Sequence, residues 1–308
     1  MSRLTANLIL LLTAVIWGSA FVAQATAMTK MGPVLFTGLR FLLAALVVLP
    51  FALREGDGRL FVIRRDSSPG GGGQSWVGPV SALSAVFLTA QLLQQLGIMT
   101  TTVTNAGFLT ALYVILVPIL GIALYRQWPH AVVLPAALIA LGGTWLLGGG
   151  LEGLRGGDLL VMASAIFWAL QVVLVGRAVQ TIGRPFFLVF AQSLAGGLVA
   201  IVLALAIEPI SAESLLRAWP ELVYAGAISG GLAFSLQAIA QRHASGADAA
   251  VVFSAEAVFA ALAAAIVLGE RLSLQGWFGC GLILLAVLAV QIVPHIAGIT
   301  RKSDPVLP

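Results

Sequence analysis

Between Asp248 and Glu270 the one charged residue is Glu256, set in a run of alanine, valine and leucine. A carboxyl group in such surroundings must be paired, hydrated by a cavity, or protonated, because an isolated buried charge is too costly to keep. Such a group can read an ammonium, carry a proton, or act as a structural partner for Arg40 or for free backbone at a broken helix. Arg40 is the matching cation, within the apolar stretch Leu39-Arg40-Phe41. Its long stem lets it snorkel, hold helices together or reach a ligand.

Amides and aromatic rings recur around these charges at helical spacing. Gln91, Gln94 and Gln95 fall at i, i+3 and i+4, which puts them on one helix face. Phe234, Gln237 and Gln241 repeat the idea at i, i+3 and i+7. A carboxamide offers two donors and an acceptor, which suits a zwitterion, and equally suits hydrogen bonds between helices. Gln94 and Gln237 are assigned to a cavity, and Gln95 and Gln241 to helix contacts. Trp17, Phe21 and Gln24 share a face at i, i+4 and i+7, and Trp168 and Gln171 form a similar pair. Tryptophan usually marks the membrane interface, but Trp17 lies about 20 Å into its helix at a rise of 1.5 Å per residue. The two indoles are either core packing or walls for an apolar side chain. Tyr113 shares a face with Ala106 and Thr110, where its hydroxyl serves a ligand or a core partner. The substrate-binding candidates are therefore Trp17, Phe21, Gln24, Gln91, Gln94, Tyr113, Trp168, Gln171, Phe234, Gln237 and Glu256.

Catalytic signatures are missing. No His-Glu-x-x-His, Gly-x-Ser-x-Gly or Walker A sequence occurs. His130, His243 and His295 sit near the ends of apolar runs and suggest no metal cluster. The single cysteine, Cys280, has no partner for an internal disulfide. No enzyme activity, metal or other cofactor is expected. Without a nucleotide site, any movement of solute is driven by gradients or facilitated.

The elements that must position these residues are membrane helices. Hydrophobic residues make up 60% of the 308 and charged ones 9%, and mean hydropathy is +1.04; soluble chains carry about 25% charged residues. No charge lies between Leu4 and Thr29 or between Ser75 and Tyr125. Blocks of this length match the roughly 20 residues that cross a bilayer as helix, the conformation that pairs every backbone polar group internally. Ten spans are expected at about 4–29, 33–53, 76–98, 102–125, 129–148, 157–176, 185–207, 219–241, 248–268 and 273–293. The first resembles a signal peptide, but its apolar stretch runs on to Met28, so it reads as a span. The linker Arg54–Ser75, charged and then Gly-rich, reads as a flexible loop.

Lysine and arginine set the orientation. With the N-terminus in the cytoplasm, eleven basic residues fall inside and four outside, and Arg40 lies within a span. Both termini are then cytoplasmic. This asymmetry, rather than nucleic-acid binding, accounts for the sequence pI near 9.8.

The halves match weakly at fixed offsets. Trp17 pairs with Trp168 and Pro33 with Pro185; later, Trp76 pairs with Trp219, Gln94 with Gln237, Asn105 with Asp248, Tyr113 with Glu256 and Gln127 with Glu270. Five spans per half force opposite orientations, and inverted repeats of this kind place a substrate site at their interface. The expected fold class is an all-α polytopic membrane protein with ten transmembrane helices as two inverted five-helix repeats. Residues 1–150 and 151–308 form the repeats, together one transmembrane domain.

Several stretches in this order resemble the EamA-type transporters of the drug/metabolite transporter superfamily. They are Ala14-Val15-Ile16-Trp17-Gly18-Ser19-Ala20-Phe21, Leu39-Arg40-Phe41, Asn105-Ala106-Gly107-Phe108-Leu109-Thr110-Ala111-Leu112-Tyr113 with Val117-Pro118, Glu256-Ala257-Val258-Phe259-Ala260-Ala261, and Leu268-Gly269-Glu270-Arg271-Leu272. The resemblance implies ten helices in two five-helix repeats and export of amino acids and other metabolites, and is nearest to the aromatic amino-acid exporter branch. Where the family often has Glu-Pro this chain has Glu256-Ala257, which predicts a straighter ninth span.

The function expected is secondary transport that exports small metabolites, foremost aromatic and other neutral amino acids, across the cytoplasmic (inner) membrane by alternating access. A monomer with lipid and a small-molecule substrate as partners, and no nucleic acid, satisfies this reading. Exporters of other metabolites or drugs remain the alternative, as does a receptor or scaffold. A multidrug-cation exchanger would carry an acid early in its first span, and that span has none. A phosphate-sugar carrier needs several basic groups, and Arg40 is the one candidate.

Overall fold

The computed structural model describes residues 1–60, 76–149 and 156–296; the linker read as a flexible loop lies outside them from residue 61 to 75. Among the described residues every regular element is helical. The first half contains α1 (Arg3–Ala27), α2 (Pro33–Glu55), α3 (Val77–Ile98), α4 (Val103–Thr110), α5 (Tyr113–Tyr125) and α6 (Val133–Leu147). The second contains α7 (Gly156–Ile182), α8 (Pro185–Ile207), α9 (Ala212–Val223), a π-helical segment (Tyr224–Ala233), α10 (Phe234–Ala240), α11 (Gly246–Phe253), α12 (Ala255–Val267) and α13 (Leu274–Ile296). Among the described residues, nine continuous or nearly continuous helical stretches are long and apolar enough to cross a membrane, and α6 is a shorter apolar helix.

The packing pattern is that of inverted halves. Helix α2 lies against α8, and α6 against α13, each helix against its counterpart. Helix α1 packs on the π segment and α10, and α7 packs on α3 in the same way; α1 also lies on α12, as α7 does on α5. Small residues bring the helices close. A Cβ on Gly97 would stand 2.6 Å from the Gly157 carbonyl oxygen, and one on Gly143 would stand 2.7 Å from that of Gly279. Such close approach is how helices gain packing energy where lipid removes the hydrophobic drive.

Helices α2 and α8 are antiparallel and cap one another. Each begins with proline, which lacks an N–H, so the next two amides need acceptors. At the start of α2, Val34 and Leu35 donate to the Glu208 carboxylate at 2.9 and 2.8 Å, from the end of α8. At the start of α8, Phe186 and Phe187 donate to the Glu55 carboxylate at 3.4 and 2.9 Å, from the end of α2. Gly32 leaves the space that the Glu208 carboxylate fills. A third cap follows the same logic: Glu270 accepts the Val103 and Thr104 amides, at the start of α4, at 3.1 and 3.2 Å.

Four spans differ from the sequence expectation. The fourth is divided after Thr110, about two turns before Pro118. The ninth is divided at Ser254, although Ala257 stands where a proline was the expected cause of bending. The Ser254 hydroxyl donates to the Val251 carbonyl at 2.6 Å, and such back-bonding competes with the helical ladder. The breaks fall at equivalent places, Ala111 and Ser254 being 143 residues apart like Tyr113 and Glu256. The eighth span starts earlier than expected, at Ala212, where an exposed Glu213–Arg217 pair at 2.5 Å allows a first turn outside lipid. The fifth is shorter, since Trp128-Pro129-His130 holds its start to Val133.

Replacing Glu208 with alanine removes the acceptor for two amides. The substitution is expected to cost about 1–2 kcal/mol and to lower Tm in detergent, with Glu208→Gln recovering part of the loss. An unchanged Tm for the alanine variant would show that this cap contributes nothing.

Candidate functional site

The irregular stretches of the helices surround a cavity between the halves. It has about 430 Å³ of empty space between its walls, of which about 30 Å³ can hold the centre of a water molecule. That is room for roughly two waters, so the walls must part to admit a metabolite. Of the eleven residues expected to bind substrate, ten line this cavity, and Gln237 stands behind it. Arg40, Thr110, Val172 and Ser229 complete the lining.

One side is aromatic. The Phe234 ring lies 4.7 Å from Trp17 and 6.0 Å from Trp168 between centroids, so it joins the two indoles that occupy equivalent positions in the halves. Phe87 meets Phe234 edge-on at 5.0 Å from the far side. The Trp17 indole donates to the Ser229 carbonyl at 3.2 Å. Ser229 belongs to the π segment, a local winding that often marks functional sites. Gly226 and Gly230 in that segment let it approach α2 at Arg40; a Cβ on Gly226 would stand 2.9 Å from the Arg40 carbonyl oxygen. The Trp168 indole nitrogen is buried and has no hydrogen-bond partner.

The other side is polar and internally bonded. Gln24 holds it together: its side-chain oxygen accepts Arg40 Nη1 at 2.7 Å and Gln91 Nε2 at 3.1 Å. Gln95 donates to the Gln24 backbone carbonyl at 3.5 Å from outside the lining. Gln94 donates to the Thr110 hydroxyl at 2.9 Å. Gln171 and Gln237 exchange two amide bonds at 3.3 and 3.1 Å, which is how Gln237 supports the wall without forming it. Gln241 donates to the Val172 carbonyl at 3.0 Å, away from the cavity.

The two buried charges do not meet. Glu256 is 6% exposed and Arg40 2%. The Glu256 carboxyl accepts the Tyr113 hydroxyl at 3.2 Å, while Arg40 turns to Gln24. No ion pair joins Arg40 to an acid among the described residues. Tyr113 and Glu256 are each other's counterparts in the repeat. A contact between equivalent residues of two repeats lies on the axis that relates them, so this hydrogen bond marks the pseudo-twofold at the cavity. Both residues stand in the first turn of the second piece of a broken helix. Broken helices that face each other in this way are the usual setting of substrate sites in transporters of inverted-repeat design.

Sequence reasoning singled out Arg40 but left its contact open; the apolar run around it gave no clue that Gln24 was its partner. Val172 and the Ser229 carbonyl were missed. A valine in a membrane helix carries no signal, and a backbone carbonyl becomes available only through the π winding. Among the described residues no group of His, Cys, Asp and Glu is suited to hold a metal.

Apolar spans in inverted halves, around a cavity with a polar and an aromatic side, define a multi-pass membrane transporter. The chain belongs to the EamA-like transporter family, whose profile matches residues 4–149 and 155–291, once in each half. An uncharacterized transporter of Archaeoglobus fulgidus is 32% identical over 293 residues, 94% of this chain and 87% of that protein. An uncharacterized transporter of Methanothermobacter thermautotrophicus is 31% identical over 196 residues, 60% of this chain and 56% of that protein. A solved crystal structure at 21% identity covers 95% of this chain and 99% of its own, with a TM-score of 0.74, and so shares the fold.

Gly18 sets the distance between α1 and the Glu256 backbone. A Cβ there would stand 2.6 Å from both the Glu256 carbonyl oxygen and the Phe259 Cβ. Gly18→Ala is expected to cost about 1–3 kcal/mol through overpacking, read as a lowered Tm of the purified protein. A Tm equal to that of the parent would mean that α1 and α12 part easily.

Proposed function

We propose that this protein exports neutral amino acids, aromatic ones foremost, across the cytoplasmic membrane by alternating access. In this reading both termini lie in the cytoplasm, each half is one five-helix repeat, and the monomer is the working unit. The observation that carries it is the division of one cavity into an aromatic side and a side with amides and a buried guanidinium and carboxyl that do not pair with each other. An amino acid has the same division: a side chain that stacks on indole rings, and a head that presents one anion and one cation. The ten lining residues expected from sequence act as its contacts, with Gln237 as a support. Glu256 reads the ammonium or carries a coupling proton.

Purified protein in liposomes tests this directly, against protein-free liposomes. Saturable uptake strongest for aromatic and large neutral amino acids supports the reading; none, from folded protein, sends the search to another metabolite class. Stacking of aromatic groups is worth about 0.5–1.5 kcal/mol. Trp168→Ala is therefore expected to raise KM for aromatic amino acids roughly 2- to 12-fold, and for alanine much less. An equal rise for both would remove the indole from substrate contact.

If Glu256 carries the coupling proton, Glu256→Gln loses acceleration by an imposed pH gradient and keeps exchange of labelled for unlabelled substrate. Gradient dependence that survives in this variant would sink the proton role and leave the ammonium role to be tested by amine-lacking analogues.

A further inference from the structure

Arg40 has more donors than the protein supplies with acceptors. Its guanidinium group carries five N–H bonds, yet among the described residues the one hydrogen bond it makes is Nη1 to the Gln24 side-chain oxygen, at 2.7 Å. Its Nε is buried without a partner. The Phe36 and Phe41 rings lie 5.8 and 5.2 Å from the guanidinium carbon and accept no N–H in the plane of the fork. The Trp168 indole N–H, on the same cavity, also has no acceptor. A buried donor left unsatisfied is costly, and two on one cavity leave it short of acceptors. Carboxamides such as Gln24 do not close the deficit, because each amide oxygen comes with two further N–H donors.

We propose that Arg40 anchors the anionic group of the transported molecule, a carboxylate, and that this group displaces the Gln24 side-chain oxygen from the guanidinium. A carboxylate brings two acceptor oxygens and no donors, and its geometry matches the guanidinium fork. Gln24 keeps its bond from Gln91 Nε2, at 3.1 Å, after the exchange. Gln24 belongs to α1 and Arg40 to α2, so binding of the anion loosens a side-chain tie between the first two spans. The proposal deepens the amino-acid reading by naming the residue that meets the carboxylate, and rests on the same cavity being the transport site.

The test uses purified full-length protein and three ligands with the same ring: phenylalanine, 3-phenylpropionate without the amine, and phenethylamine without the carboxylate. Apparent affinity is read from the ligand-induced rise in Tm, and the Tm without ligand reports whether each variant folds. Phenylalanine and 3-phenylpropionate are expected to bind, and Arg40→Gln to weaken both about ten- to a hundred-fold with phenethylamine unchanged. Arg40→Lys, which keeps the charge and loses the fork, serves if Arg40→Gln does not fold, and is expected to recover part of the loss. In Gln24→Ala the guanidinium loses its internal acceptor, and carboxylate affinity is expected to rise; a fall as large as that in the arginine variants overturns the displacement. Phenethylamine binding as tightly as phenylalanine, or no shift with either carboxylate, overturns the anchor. Binding of 3-phenylpropionate but not phenylalanine upholds the anchor and overturns the amino-acid reading instead.

Discussion

Backbone amides at a helix start have no partner in lipid, and in this protein the other half of the chain supplies one. Glu208 reaches from the end of α8 to the start of α2, and Glu55 from the end of α2 to the start of α8. Each carboxylate accepts two N–H bonds behind a proline that removes a third donor. Neither helix start is complete without the opposite repeat, so the halves are joined at both ends of one helix pair. Arg184 strengthens one end by donating to the Ala52, Arg59 and Leu60 carbonyls at 3.1, 3.2 and 3.0 Å. The side-chain pair Lys30–Glu221 ties the turn before α2 to α9 at the other. Helices held in this way can afford irregularities elsewhere.

Those irregularities gather at the cavity. The fourth and ninth spans break at equivalent points, and the eighth widens into a π segment over ten residues. The breaks present Tyr113 and Glu256 from the first turns of new helices, and the π segment presents a carbonyl to Trp17. Regular helices would bury all these backbone groups in their own ladders, leaving a cavity lined by side chains alone. Serine and glycine make the departures possible here: Ser254 competes for a carbonyl, and Gly226, Gly230 and Gly231 leave room for α2.

Much of this was legible in sequence because membrane helices obey few rules. Long charge-free blocks gave the spans, and paired positions such as Trp17–Trp168 and Tyr113–Glu256 gave the inversion. Amides and aromatic rings at helical spacing, with the isolated Glu256, gave most of the cavity lining. What stayed hidden depended on contacts between distant segments. Glu55 and Glu208 look like ordinary charges at span ends, and nothing local shows that each caps a helix more than 130 residues away in the chain. The break at Ser254 was not anticipated, because attention went to proline as a cause of bending and a serine hydroxyl can also compete with the helical ladder. Arg40 and Gln24 fall sixteen residues apart on separate helices, so no periodicity links them.

The hydrogen bonds of the cavity are exchangeable, and that bears on how such a site can empty as well as fill. Gln24 with Arg40, Gln94 with Thr110, and Gln171 with Gln237 each satisfy a polar group that would otherwise be buried alone. A ligand that takes over one of these bonds replaces an internal acceptor by its own, so the net change in hydrogen-bond energy is small. Under the proposed function, selectivity would come from the buried donors without partners among the described residues, the Arg40 Nε and the Trp168 N–H, and from the area of ring that the indoles can cover. Binding energy concentrated there would recognise the head and the side chain of a solute without holding it too tightly to release. The Tyr113–Glu256 bond, on the axis that relates the repeats, is the one polar contact of the cavity made by equivalent residues of the two halves. If the halves exchange their roles as the site opens to either side, this pair keeps its place while the bonds around it change partners.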